Sequence, residues 1–71
     1  MKNKRAKIVT SYESDMGLVL NWLRLKKVIS RSSGTYETKR GLYATDVYSS
    51  VSKKDLEIIV KDRFGVFAKV L

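Results

Sequence analysis

From Arg5 to Tyr12 the side chains alternate, with Ala6, Ile8 and Thr10 on one side and Arg5, Lys7, Val9 and Ser11 on the other. A period of two with several β-branched residues predicts a first strand. The period then lengthens. Leu18, Trp22, Leu25 and Ile29 fall at i, i+4, i+7 and i+11, and Val19 and Leu23 widen that stripe, which predicts an amphipathic helix. Ser14 is the expected N-cap and Asp15 a first-turn acid suited to the helix dipole. The end of this helix stays open between Lys26 and Ile29, because Val28 to Arg31 reads equally well as extended chain. Asn21, Arg24, Lys27 and Arg31 gather on the side opposite the apolar stripe.

Ser32-Ser33-Gly34 is a turn signal, after which Thr35 to Lys39 alternates like a strand. Arg40-Gly41 marks the next turn, and Leu42 to Ser49 is expected to pair back as the other arm of a hairpin. In the last third, punctuation and periodicity agree. Ser52 is an N-cap, Asp55 stands where a capping-box acid would, and Val51 can staple against Leu56. Leu56, Ile59, Val60 and Phe64 form the buried stripe, and Glu57 and Lys61 make a favourable i, i+4 pair. Gly65 is placed as the left-handed C′ residue that closes the helix, with Val66 folding back on Val60, and Val66 to Leu71 reads as a final strand.

The resulting order is strand, helix, strand, strand, helix, strand. It predicts a small α+β domain spanning residues 1–71, a ferredoxin-like βαββαβ sandwich with two helices on one face of an antiparallel sheet. Were Val28 to Arg31 an additional strand, the sheet is expected to become a meander between two helices and the ferredoxin-like reading to fail, with the α+β class unchanged.

Composition narrows the functional classes. With 71 residues the chain buries roughly 60% of its unfolded surface, and without cysteine its stability comes from packing or from a partner subunit. Met16 to Leu25 is too short and too interrupted to cross a bilayer, which needs about 20 apolar residues, and the N-terminus lacks the apolar run of a signal peptide. The expected compartment is the cytoplasm, that of the host for a viral gene. Histidine is absent as well, which removes the usual general base, the Ser/His/Asp and Cys/His nucleophilic arrangements, and nearly every zinc site. The seven carboxylates are scattered, and Gly17, Gly34, Gly41 and Gly65 are too far apart for a phosphate loop. The chain is therefore read as non-enzymatic, with no cofactor and no metal.

What remains is charge. Fifteen Lys and Arg against seven Asp and Glu give a net charge of +8, a field that raises encounter with any polyanion. The basic residues cluster in an arm at residues 1–4 continuing to Lys7, and in Arg24-Leu25-Lys26-Lys27. The second helix, by contrast, nearly balances Lys53, Lys54, Lys61 and Arg63 with Asp55, Glu57 and Asp62. Tyrosines 12, 36, 43 and 48 add a second motif, since basic and aromatic residues on an open sheet form a stacking platform for single-stranded nucleic acid. Strand parity leaves open whether Tyr43 or Asp46 turns towards the helices.

The expected interface comprises Lys4, Arg5, Lys7, Arg24, Lys27, Arg31, Lys39, Arg40 and Tyr43, and the leading expectation is a nucleic-acid-binding protein that engages DNA or RNA phosphates through the basic arm and the face of the first helix. The alternative is a regulator or inhibitor, of the kind phage- or plasmid-type accessory proteins provide, docking on an acidic or nucleic-acid-binding surface of a partner protein. A homodimer is compatible with both readings, and no membrane partner is expected.

Overall fold

The computed structural model describes residues 4–71. The basic arm expected over residues 1–4 thus lies outside the described residues except for Lys4, which opens the first strand. In chain order the elements are β1 (Lys4–Thr10), α1 (Glu13–Leu25), β2 (Ile29–Ser32), β3 (Tyr36–Glu37), β4 (Tyr43–Ser49), α2 (Lys53–Phe64), a 3-10 turn (Gly65–Phe67) and β5 (Ala68–Val70). The two helices pack on one antiparallel sheet of strand order β2-β4-β1-β5, with β3 paired to β4. The fold is α+β. None of the described helices is long and apolar enough to cross a membrane.

The stretch Val28 to Arg31, left open between helix and strand, resolves as strand over Ile29–Ser32, yet no meander results. β1 occupies one edge of β4, and β2 and β3 both lie along the other. Counted as two parts of one interrupted strand, they restore the βαββαβ order and make the sheet consistent with a ferredoxin-like sandwich. At the interruption Ser33 to Thr35 stand opposite only Thr45 and Asp46. One backbone bond and two hydroxyl contacts span the gap: Ser33 N–H donates to the Asp46 carbonyl (2.8 Å), Ser33 Oγ accepts from Asp46 N–H (3.1 Å), and the Thr35 and Thr45 hydroxyls meet at 2.8 Å. A second register irregularity falls between Ile29 and Arg31.

Directly opposed residues of a sheet point to the same face, so the pairs Ala6/Val47 and Ile8/Val70 define the helix-side face. These residues, with Ile29 and Ala68, form the core with Met16, Val19, Leu20 and Leu23 of α1 and Leu56 and Val60 of α2. This corrects the expected phase of α1. Leu18 and Leu25 are 68% and 72% exposed and Trp22 is half-buried. The helix carries two overlapping apolar stripes one residue apart, about 100° in rotation, and contact with the sheet selects Met16, Val19, Leu20 and Leu23. Ile29 is indeed buried, but as a residue of β2, which removes the last member of the expected stripe. Trp22 instead covers the seam between the helices, edge-on to Phe64 with ring centroids 5.6 Å apart.

The helix ends show where local signals prevail. α1 starts at Glu13, one residue before the expected Ser14 cap, and Tyr12 at the cap position supplies no side-chain hydrogen bond. At its C-terminus, Val28 N–H donates to the Leu23 carbonyl and Lys27 N–H to that of Arg24, both at 3.0 Å. This is the Schellman pattern, and it puts Lys27 at a φ of 59°, where glycine is the usual residue. α2 begins as expected, with Ser52 Oγ accepting from Asp55 N–H at 3.2 Å, and ends at Gly65 with a φ of 62°. Val66, expected to fold back on Val60, is 96% exposed, because the 3-10 turn carries it away before β5 begins.

These two positive-φ positions make opposite predictions. Lys27→Gly relieves the strain of a side chain held at positive φ and raises stability by about 0.5–1 kcal/mol, whereas Gly65→Ala puts a side chain on a backbone at φ 62° and ψ −126° and lowers stability by about 1–2 kcal/mol through strain. Thermal melts of the two variants check the pair, and equal signs would contradict this account of the caps.

Candidate functional site

The pairing that directs Ala6, Ile8 and Val47 to the core sends their neighbours to the other side of the sheet. On this face, away from the helices, Arg5 stands opposite Tyr48, Lys7 opposite Asp46, and Val9 opposite both Ala44 and Lys69. From the β2/β3 edge, Arg31 also stands opposite Tyr48, and Tyr36 opposite Ala44. The face therefore collects four cations, Arg5, Lys7, Arg31 and Lys69, around two tyrosines and one carboxylate.

Its centre is Tyr48. Because β4 lies between β1 and β2, Arg5 and Arg31 approach this tyrosine from opposite sides. The Arg31 guanidinium lies 4.6 Å from the ring centroid, a cation–π arrangement that orients the guanidinium while its N–H groups stay available. Arg5 pairs with Asp46 at 3.4 Å. With the Arg5 side chain 69% exposed, that pair is a surface contact contributing about 0–1 kcal/mol, and it leaves Lys7, Arg31 and Lys69 with no carboxylate within ion-pair distance among the described residues. Four exposed or half-exposed cations against one acid give this face a local excess of positive charge.

At the other end of the same face, a depression of ≈ 200 Å³ is lined by Val9, Thr10, Ser11, Leu42, Val66, Phe67 and Lys69. It is smaller than the roughly 300–1,000 Å³ of sites for drug-sized ligands, so it has room only for a small group. A separate groove of ≈ 640 Å³ runs between α2 and β5, lined by Glu57, Lys61, Gly65, Val66, Ala68, Lys69 and Val70. Its ionisable groups are one carboxylate and two lysines, with no serine, threonine or cysteine among the lining residues. No group of three or more acidic residues able to hold a metal ion occurs among the described residues.

The sheet redistributes the residues expected at the interface. Arg5, Lys7 and Arg31 come together on the face just described. Arg31 thus does not belong to a basic face of the first helix, because the helix closes at Leu25 and Arg31 lies on β2. Arg24 and Lys27 stay on the helix layer, Arg24 donating to the Ser32 hydroxyl and Lys27 exposed at the cap. Lys4 is exposed but stands opposite buried Ser49, hence on the helix-side face. Lys39 and Arg40 are exposed in the turn between β3 and β4, which Thr38 closes by accepting from Leu42 N–H and Arg40 N–H. Tyr43 is half-buried opposite buried Thr10 on the helix side, so Asp46 is the residue that turns outward.

Tyr36, Tyr48 and Lys69 replace Tyr43 in the assembled surface. Their signal was parity with Val47 and Val70: once those two valines are taken as core, Tyr48 and Lys69 must face the other way. No family model, curated protein or solved structure matches the chain.

Proposed function

We propose that this protein is a nucleic-acid-binding module that engages phosphates through the sheet face opposite its helices, with Arg5, Lys7, Arg31 and Lys69 as the contacting groups. The observation that carries this reading is the convergence of Arg5 and Arg31 on Tyr48, with two lysines and one carboxylate alongside. Guanidinium forks match phosphate geometry, and lysines add charge without directional demand. A chain without histidine or cysteine fits binding better than catalysis. The basic residues off this face, Arg24, Lys27, Lys39 and Arg40, extend the field and speed encounter.

Titration of the protein with a short DNA duplex at low and at physiological salt tests the proposal. Each phosphate neutralised contributes about −0.9 to the slope of log affinity against log salt, so four contacts give a slope of about −3 to −4. Affinity independent of salt, or no binding at low salt either to the duplex or to a single strand of equal length, would overturn it. Those outcomes would favour a regulator docking on an acidic partner protein, a reading supported by the exposure of Val66 at 96% and Phe67 at 65% beside Lys69.

A further inference from the structure

The same face distinguishes between forms of nucleic acid, and we infer that its ligand is single-stranded, with bases stacking on Tyr36 and on the Arg31–Tyr48 pair while the phosphates meet the surrounding cations. This inference rests on the nucleic-acid reading and sharpens it. A surface that reads only the charge of a duplex needs cations and no aromatic groups, because the bases of a duplex are stacked on one another and closed to a flat sheet. Here the cations enclose planar groups. Tyr36 is 42% exposed on the edge strand β3, and it shares the face with Tyr48, whose ring carries the Arg31 guanidinium at 4.6 Å. Guanidinium planes and phenol rings both accept an unstacked base.

The layout also fits a strand laid along β4. From Tyr48 to Leu42 the sheet extends about 20 Å at 3.3 Å per residue. Along that line the cluster of Arg5, Tyr48 and Arg31 comes first, Lys7 and Asp46 next, then Tyr36 beside Ala44, and finally the ≈ 200 Å³ depression between Leu42 and Phe67 with Lys69 at its rim. Aromatic or apolar sites and cations recur together along the line, which suits the successive bases and phosphates of one extended strand. Asp46 lies among the cations as the one repulsive group, held by Arg5.

The test compares short oligothymidylate, oligouridylate and a DNA duplex of equal length by fluorescence anisotropy at one salt concentration, using the unaltered protein, Tyr36→Ser and Tyr48→Leu. Oligothymidylate or oligouridylate, whichever binds better, is expected to exceed the duplex by about tenfold. Each tyrosine variant is expected to lose about tenfold on that single strand, near the lower end of what one stacked base contributes, with the duplex affinity of Tyr36→Ser changed by less than about twofold. Tyr36 is exposed on a two-residue edge strand, so Tyr36→Ser keeps the test meaningful if Tyr48→Leu fails to fold. Equal affinity for duplex and single strand, or single-strand affinity unchanged in folded Tyr36→Ser, overturns the inference and leaves phosphate binding standing. Absence of binding to all three probes at low salt overturns the nucleic-acid reading itself.

Discussion

Leu23→Ala is expected to lower the free energy of unfolding by about 3 kcal/mol, and Leu18→Ala by less than about 0.5 kcal/mol, although both leucines lie on one helix and both belong to an apolar stripe. Leu23 is fully buried in the core cluster, and its carbonyl accepts the hydrogen bond that closes the helix. Truncating it leaves a cavity in the core cluster it shares with Ile8, Val47 and Leu56. Leu18 is 68% exposed, so its truncation removes little contact. For a domain of this size 1 kcal/mol shifts the melting temperature by roughly 4–8 °C, so the two melts separate by more than about 10 °C. Equal shifts would mean that α1 lies on the sheet in its alternative phase, with Leu18, Trp22 and Leu25 inward.

Removing the charges of Arg5, Lys7 and Arg31 together, each by substitution to Gln, is expected to weaken nucleic-acid binding about a hundredfold at low salt, or about 3 kcal/mol. The matched variant carrying Gln at Arg24, Lys27 and Lys54 loses the same formal charge and is expected to weaken binding by less than about fivefold. The comparison holds net charge constant and changes only position. Glutamine is preferred to an acid here because a new carboxylate beside Asp46 would add a repulsion of its own. Gel-shift or anisotropy titrations measure the losses, and circular dichroism melts establish that both variants remain folded. Equal losses would show that only the overall field matters and that the sheet face is not a site.

Residues with strong local rules were legible in the sequence, and residues decided by packing were not. Ser52 and Gly65 bracket α2 because a side-chain oxygen at one end and freedom to adopt positive φ at the other are requirements of a few consecutive residues. The phase of α1 depends on which of two stripes the sheet accepts, information held in residues far along the chain. Arg31 falls in phase with the helix in sequence for a related reason. No glycine marks the end of α1, since Lys27 takes the left-handed position itself, and the reading frame of the next segment stayed undefined. On β4 the uncertainty was a single bit, the parity of the strand, and it sent Tyr43 to the interface in place of Tyr48. Lys7 and Arg5 were legible as a basic strand end, but their meeting with Arg31 across β4 is a property of strand order, which pattern alone does not encode.

The interrupted edge formed by β2 and β3 has a consequence for the behaviour of many copies together. A polyanion concentrates its ligands side by side, and a straight sheet edge at high local concentration becomes a template on which another chain adds its own strand. Here the edge is divided into one piece of four residues and one of two, with the register broken again after Ile29 and the Ser33 hydroxyl bonded into the gap. Neither piece supplies a run of aligned donors and acceptors long enough to seed cross-β stacking, which draws on six- or seven-residue segments. The irregularity that complicates the topology thus acts as protection against aggregation, and a variant that closed the gap into one continuous strand would give up that protection.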